Sequence, residues 1–430
     1  MATTRIPRLR YGIALLLGFG VLVNYFDRVN LSIAQDALHH EFGIDAVAFG
    51  VLSSAYSYTY AALQLPIGVI LDRFGVAAIG RIGAFLWSVA SFFAAAAGSF
   101  TAFFGARLLL GVGEAPTFPG NAKAVGDWFP RHERGLATAI FDAAAKLGTA
   151  IAIPLVSIVA AAYGWRSAFT FTGVISLMFF AAFWAYYRSP NDDKRLSPVE
   201  REYIARGGGA AQTVAETETA VNNRASLGYL LRQRKVWGLT IGFAAYGYSF
   251  YLFLTWLPSY LSGSLHLGLI KSGWYAAIPW LIAAISDLVV GGWLVDYLIE
   301  RGFDPTRTRK TILVIGLLLG LAIVGATRTR DPVVATIWIS IALAGLAASA
   351  PIGWSIPGLI APKGSIGTVG GIMNFFNNLM AILAPTVTGL IVGATNSFTN
   401  AFLAAAAFLL VGIFSYLFIL GKIEPIAEPA

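Results

Sequence analysis

The stretch YGIALLLGFGVLVNYFDRVNLSIA, residues 11–34, indicates the fold class of the chain. It opens as an uncharged apolar run and is long enough to cross roughly 30 Å of hydrocarbon. Asp27 and Arg28 nevertheless stand next to each other within it. A charge at the bilayer centre costs about 2.5–3.5 kcal/mol even on the mildest scale, so charges kept inside a membrane usually serve a function. The stretch therefore predicts a membrane helix that carries functional charges.

The whole chain has the composition of a membrane protein with many spans. Of its 430 residues, 57% are hydrophobic and 12% are charged, whereas soluble domains are about 25% charged. The absence of cysteine excludes disulfides and thiolate metal sites. The sequence contains no zinc-protease, serine-hydrolase or nucleotide-binding motif. We therefore expect neither an enzyme nor a bound metal or organic cofactor.

Hydropathy predicts twelve transmembrane helices. They run near 11–33, 46–70, 76–98, 101–124, 134–162, 166–187, 236–261, 271–298, 308–327, 333–360, 366–393 and 397–420. A polar gap separates the sixth from the seventh. We predict an all-α membrane protein in which residues 1–188 and 236–430 form two pseudo-symmetric six-helix bundles, joined by a cytoplasmic linker at 189–235.

Basic residues are distributed unevenly between alternate loops. With the N-terminus inside, 22 of the 30 Lys and Arg residues fall on the cytoplasmic side, and only Arg166, Lys271, Arg328 and Arg330 fall outside. This asymmetry follows the positive-inside rule and predicts that both termini are cytoplasmic. It also accounts for most of the net charge of +8, so we expect a lipid bilayer rather than nucleic acid as the partner. Nothing in the sequence requires more than a monomer.

The polar gap contains one short predicted helix. Ser197 is a typical N-cap, Pro198 suits the first helical position, Glu200 stands at the third, and Gly207 ends the helix. Residues 226–238 predict an interfacial segment that leads into the seventh span.

The ends of the second and eighth spans share a pattern. Gly68 precedes Asp72 by four residues in GVILDRFG, and Gly292 precedes Asp296 by four in GWLVDYLIERG. The repeat supports two related halves, as expected of secondary transporters.

Three charges in the first half fall at related depths in the membrane. At 1.5 Å per residue, Asp27 in the first span and Arg107 in the fourth lie at similar depth, which predicts an Asp27–Arg107 pair. Glu114 lies two turns from Arg107 on the same face. The alternative is a purely structural ion pair, but two carboxylates for one arginine leave one acid free to take a proton. The pattern is typical of a proton-coupled carrier.

Arg28 points about 100° away from Asp27 around the helix. It shares a face with Tyr25 and Ser32, and a guanidinium facing a cavity binds carboxylates through two parallel hydrogen bonds. Tyr60, with Gln64 one turn later, is a candidate lining residue. The alternative is that these tyrosines are packing or interfacial aromatics.

Further polar residues are candidates for the same cavity. Lys146 follows Asp142 by four residues, which predicts either a self-paired salt bridge or a second cation for a dianion. The second half supplies mostly uncharged donors and an aromatic face suited to hydroxyl groups, with Asp287 as the one possible mid-membrane charge. The candidates there are Trp354, Ser355, Asn374, Asn377 and Asn378.

At these residues the chain resembles the anion:cation symporters of the major facilitator superfamily, which include bacterial galactonate, glucarate and hexuronate carriers. The resemblance covers nearly the whole chain. Two motifs are specific to these symporters: NYFDRVNLSIA at 24–34 and RLLLGVGEAPTFPGNAKAVGDWFPRHERGLA at 107–137. A third, GVILDRFGVAAIGR at 68–81, is general to the superfamily. The resemblance also includes IAPKGSIGTVGGIMNF at 360–375.

The resemblance implies roles for several residues. Asp27 and Glu114 correspond to proton-coupling acids, and Arg107 to a partner that switches between them. Tyr25, Arg28 and Tyr60 correspond to contacts with the substrate carboxylate, and Trp354 and Asn374 to contacts with the sugar chain. Asp72 and Arg73, with Asp296 as the repeat counterpart, correspond to a conformational latch. In one departure, this chain has Ala145 where sugar-acid members often have glutamine.

Together these observations predict a proton symporter of the bacterial inner membrane that imports a small organic anion, a sugar acid first, by rocker-switch alternating access. The nearest alternative is an aromatic or dicarboxylic acid symporter on the same fold. A membrane sensor or a lipid-modifying enzyme is disfavoured, because the sequence has no catalytic constellation and no sizeable soluble domain.

Overall fold

A computed structural model describes residues 8–130, 133–209, 226–362 and 365–428, except the side chains at 65, 69, 72 and 135. This part of the chain is helical. Six helices precede the linker: α1 Leu9–Phe42, α2 Ala46–Ala96, α3 Phe100–Glu114, α4 Thr117–Trp128, α5 Arg134–Tyr163 and α6 Trp165–Tyr186. The linker carries α7 Pro198–Arg206 and α8 Leu227–Leu231.

The remaining helices follow the linker. They are α9 Arg234–Gly263, α10 Leu269–Ser286, α11 Val295–Glu300, α12 Pro305–Gly320, α13 Ile323–Ala326, α14 Pro332–Ile360, α15 Ile366–Thr395 and α16 Phe398–Phe414. A π-helical segment, Asp287–Leu294, joins α10 to α11, and a second one, Ser415–Ile419, continues α16. We call α1–α6 the first helix set and α9–α16 the second helix set.

Nine helices of the described chain are long and apolar enough to cross a membrane. The other three predicted spans coincide with the first part of α2, with α3 and α4, and with α9. Large apolar side chains such as Leu15, Phe85, Trp184 and Phe418 are exposed on the outside of the bundle. An apolar exterior of this kind suits lipid rather than water.

One helix boundary differs from the hydropathy prediction. The spans predicted at 46–70 and 76–98 are both present within Ala46–Ala96, and they meet at a bend at Gly75, where φ is 78° and ψ is 160°. The span predicted at 101–124 is instead broken after Glu114, and α4 begins beyond Pro116. Proline lacks an amide hydrogen and cannot continue a helix without distortion, which places the end of α3 next to Glu114.

The linker helix α7 is capped as the sequence predicts. The Ser197 hydroxyl accepts a hydrogen bond from the amide of Glu200, Pro198 is at the first helical position, and Gly207 ends the helix. The Glu200 carboxylate does not return to the cap, however. It is fully buried and binds Arg10 at 2.9 Å.

Arg10 attaches the linker to the first helix set. Its guanidinium also binds Glu133 at 2.7 Å, and the Tyr203 hydroxyl donates to the same carboxylate. Earlier in the linker, the side chain of Arg195 hydrogen-bonds Asp193 and lowers the pKa of that carboxyl. These contacts hold the linker at one end of the bundle, which we call the linker end; the opposite end, at residues 43–45, is the far end.

The two helix sets meet closely at the far end. Gly50 of α2 and Gly389 of α15 bring the two backbones together, since a Cβ at Gly50 would lie 2.6 Å from the Pro385 carbonyl oxygen. The Ser54 hydroxyl donates to the Ile382 carbonyl at 2.8 Å across the same contact. The hydroxyl of Ser259 also hydrogen-bonds Gln35 there. The far end is therefore closed in this conformation.

The packing of α2 against α3 yields a test within one helix. We expect Gly111→Ala to lower the thermal stability and yield of the protein, because its Cβ would fall on the Tyr56 carbonyl oxygen and the Thr59 hydroxyl. Gly105→Ala on the same helix has open space around it and should be neutral or stabilising by up to about 1 kcal/mol. Thermal unfolding in detergent, followed by size-exclusion chromatography, measures both. Equal stability of the two variants would contradict this packing.

Candidate functional site

The centre of the site is a buried ion pair between α1 and α3. Arg28 lies midway along α1, and its Nε and Nη2 atoms are each 2.9 Å from the same oxygen, Oε2, of Glu114. Glu114 is fully buried and Arg28 nearly so. Glu114 ends α3, where the break at Pro116 begins. Sequence reasoning named both residues but did not pair them.

Three tyrosine rings surround the Arg28 guanidinium. The distances from its Cζ atom to the ring centroids are 4.8 Å for Tyr25, 5.2 Å for Tyr56 and 5.5 Å for Tyr60. Such contacts are worth more when the cation has lost its water. Tyr25 and Tyr60 were expected at the site and are there; Tyr56 was missed, although its spacing of four from Tyr60 places both on one helix face.

The predicted pairing of Arg107 with the Asp27 carboxylate is wrong. Arg107 Nη1 donates to the main-chain carbonyl of Asp27 at 3.3 Å. The carboxylate accepts hydrogen bonds from Ser91 at 2.6 Å and Ser176 at 2.7 Å. Equal depth in the membrane brought Arg107 to the right level, but the Asp27 side chain points into the first helix set, towards α2 and α6.

Arg107 is a second buried guanidinium beside the first. It stacks on Tyr56 at 5.3 Å, so one ring contacts both arginines. Within the described part of the chain, no carboxylate lies within 4 Å of it, and its Nε atom is buried without a hydrogen-bond partner. The arginine pair thus carries one positive charge more than Glu114 neutralises.

A cavity between the two helix sets opens onto this charge. Arg28, Ser32, Ser53 and Arg107 line it from the first set, and Tyr251 and Thr255 from the second. An anion there would meet two guanidinium groups and several hydroxyl groups. Such a surface suits a carboxylate on a polyhydroxylated chain.

Lys146 is held by carboxylates from both helix sets. Its ammonium nitrogen lies 2.7 Å from Asp142 on the same helix, as one reading of the sequence predicted, and 2.6 Å from Asp287 at the start of the π-helical segment. Lys146 and Asp287 are both buried. The sequence raised Asp287 only as a possible membrane charge, and its partner was not foreseen.

The neutral candidate residues of the second helix set differ in how exposed their side chains are and in whether they already make hydrogen bonds within the helix. Trp354 is 43% exposed and packs edge-on against Phe243, and Asn374 is half-buried. The Ser355 hydroxyl donates to the carbonyl of Ile352, and the Asn378 amide donates to the carbonyl of Asn374. Ser355 is exposed and Asn377 is buried, and the substrate role of all five stays a prediction.

The predicted latch residues lie at the linker end of α2 and in α11. Arg73 and Asp296 are exposed, and Arg73 stacks on its neighbour Phe74 at 5.3 Å. The side chain of Asp72 is outside the described part of the structure, so the latch stays a prediction. Among the described residues, no cluster of three or more His, Cys, Asp or Glu residues is placed to hold a metal ion.

Comparison with known proteins identifies relatives along nearly the whole chain. A model of the Major Facilitator Superfamily matches residues 17–385. The uncharacterized transporter YybO of Bacillus subtilis is 40% identical over 97% of this chain and 95% of its own. The probable galactarate/D-glucarate transporter GudP of the same species is 32% identical, covering 96% and 92%. The D-galactonate transporter of Escherichia coli is 32% identical and covers 97% of each chain.

Solved structures share the fold at lower identity. An inward-facing, occupied structure of a bacterial homolog of the human lysosomal transporter Spinster has a TM-score of 0.76 at 16% identity, covering 96% of this chain and 97% of that one.

The shared ring of Tyr56 can be tested directly. We expect Tyr56→Phe to keep stability, and Tyr56→Leu to lose about 1–2 kcal/mol, because leucine removes the π face under both buried guanidinium groups. Thermal unfolding in detergent measures the difference. Tyr58→Leu is the matched control, since Tyr58 only tilts against Phe104. Equal losses in Tyr56→Leu and Tyr58→Leu would contradict the role of the ring.

Proposed function

Because the chain belongs to the major facilitator superfamily, whose members are multi-pass membrane transporters and not enzymes, we propose that it imports an organic anion together with protons. A sugar acid is the favoured substrate. The fold is that of the superfamily, and relatives named for galactarate, glucarate and galactonate transport support the substrate class.

One observation carries the proposal: the guanidinium best placed to bind a carboxylate already holds one. Nε of Arg28 donates to Oε2 of Glu114, and Nη2 lies 2.9 Å from the same oxygen without an aligned hydrogen bond, so Glu114 occupies the side of the guanidinium that a substrate carboxylate would use. Substrate and Glu114 therefore compete for the same cation. A buried carboxylate that loses its cation favours the protonated form, so protonation of Glu114 frees Arg28 for the anion.

This competition changes one step of the mechanism inferred from the sequence. Arg107 was expected to switch between Asp27 and Glu114, whereas Glu114 contacts Arg28 here. We assign the proton-linked exchange to Arg28, and Arg107 supplies the additional positive charge beside it. Asp27 remains a second proposed proton site, because the hydroxyl groups of Ser91 and Ser176 that hydrogen-bond its carboxylate can bond either protonation state.

The transport cycle follows from these contacts. From the outward-open state, protonated Glu114 leaves Arg28 to the anion; the far end then closes, as it is here, and the anion and proton leave at the linker end. The halves would rock as units, with Asp72, Arg73 and Asp296 as the latch. We place the protein in the bacterial inner membrane as a monomer with both termini cytoplasmic, with protons as the only coupling ion.

An aromatic or dicarboxylic acid is the alternative substrate. The buried Lys146 and the alanine at 145 favour a second anionic group or a less hydroxylated chain. In competition with a labelled substrate, phthalate or hydroxyphenylacetate would then displace it better than galactonate.

Proton movement tests the function. Purified protein in vesicles containing a pH dye should acidify the lumen when galactonate, glucarate or glucuronate is added outside. Glu114→Gln should lower this flux at least tenfold, because it leaves no carboxylate at the proposed exchange site. Glu202→Gln, on the exposed face of α7, is the control that should keep it. No proton movement with any acid of the panel would overturn the proposal.

The contribution of the paired N–H donors of Arg28 can be measured separately from that of its positive charge. We expect Arg28→Lys to lower uptake of labelled substrate at least tenfold, since lysine keeps the charge but cannot offer two parallel N–H donors. Arg206→Lys, in an exposed pair with Glu202, is the matched control. Near-normal uptake by Arg28→Lys would rule out carboxylate binding at this guanidinium.

A further inference from the structure

We propose that Lys146 is a second anion-binding point of the site and that the site is built for a dianion. The second acidic group of the substrate takes the place of Asp287 on Lys146 and so opens the ion contact between the two helix sets. This inference rests on the proposed function and specifies its substrate class: a molecule with two acidic groups on one chain.

Lys146 has one partner that moves with it and one that does not. Asp142 lies on the same helix, four residues earlier, and keeps its place in any rigid motion of the first set. Asp287 belongs to the second set and contacts Lys146 across the boundary. When the sets separate at this level, only the contact with Asp287 has to break.

The Asp287 contact has the features of a replaceable bond. Its oxygen lies 2.6 Å from the ammonium, yet it lacks a well-aligned hydrogen bond. Asp287 also begins the π-helical segment, and π-helical turns within α-helices are frequently found at functional sites. The Asp142 side chain is 24% exposed, so the group is not fully enclosed by protein.

Tyr25 connects this group to the Arg28 site. Its ring lies 4.8 Å from the Arg28 guanidinium, and it is within electrostatic range of both Lys146 and Asp142. A chain bound to Arg28 at one end and running past Tyr25 would bring its other end towards Lys146. Both cations are paired with carboxylates of the protein, and at each cation one acidic group of the substrate would replace one of these carboxylates.

The charges balance after the exchange. Lys146 now has two carboxylate partners, and it still has two when a substrate carboxylate replaces Asp287. The displaced Asp287 carboxylate loses its cation and takes up a proton from the medium, because a buried unpaired charge is costly. Among the described residues, the titratable groups facing it are Lys146, Asp142 and Tyr246. A monoanion fills Arg28 alone and leaves the Lys146–Asp287 contact closed.

A matched pair of substrates tests the inference. Galactarate and galactonate have the same carbon chain, with two and one carboxylates, and vesicle uptake gives kcat/KM for each. We expect the wild type to favour galactarate at least tenfold. Lys146→Gln should lower the ratio of galactarate to galactonate at least tenfold. Lys235→Gln, which removes the cation of an exposed pair with Glu424, should leave the ratio unchanged.

A second variant separates substrate recognition from structural pairing. Asp287→Asn removes the competing charge, so galactarate should bind folded protein at least as tightly as in the wild type, as measured by thermal stabilisation. If the Lys146–Asp287 contact is only structural, Asp287→Asn should weaken the binding of galactarate and of galactonate equally. That result would overturn the inference. An unchanged ratio in Lys146→Gln, or a wild type that favours galactonate, would also overturn it while leaving proton-coupled anion uptake intact. Transport of neither acid would overturn this inference, and the proposed function would fall with it only if the other acids of the panel moved no protons either.

Discussion

The free energy of keeping charge away from water constrains this structure most strongly. Arg28, Arg107 and Lys146 are all buried in the middle of an apolar bundle, where an unpaired charge costs several kcal/mol. The structure meets this cost with Glu114, with a tyrosine shared by both arginines, and with two carboxylates on Lys146. In the proposed cycle a substrate replaces Glu114 on Arg28 and Asp287 on Lys146, so two of the contacts that stabilise the fold are ones that transport would use.

Arg28 and Lys146 differ in whether their carboxylate partners belong to one helix set or to both. Arg28 finds its partner within the first set, so in the proposed cycle its exchange with substrate depends on the proton on Glu114 and does not require the sets to move apart. Lys146 finds one partner in each set, so the proposed exchange there would open a contact between the sets. The far end is closed through Gly50, Gly389 and Ser54, and the Lys146–Asp287 contact is a further one between the sets.

Much of the fold could be predicted from the sequence because its signals are local. Apolar runs of membrane length and the cap at Ser197 each depend on a short segment, and the structure confirms the α7 cap and its end at Gly207. The pairing of Asp27 with Arg107 failed because depth along a helix fixes one coordinate and says nothing of direction around the axis. Asp27 and Arg28 are neighbours in sequence, yet one side chain points to Ser91 and Ser176 and the other to Glu114. The contact of Asp287 with Lys146 joins distant helices, which no local pattern encodes, whereas the spacing of four between Tyr56 and Tyr60 is a local signal that could have identified Tyr56.

The central claim is that substrate and Glu114 compete for Arg28, so that the protein takes up a proton when it binds the anion. Purified protein in weakly buffered detergent with a pH indicator allows the protons to be counted as galactarate or galactonate is titrated in. We expect net proton uptake on binding by the wild type and a smaller uptake, by about one proton per site, in Glu114→Gln. Saturable anion binding with the same proton count in both proteins would contradict it.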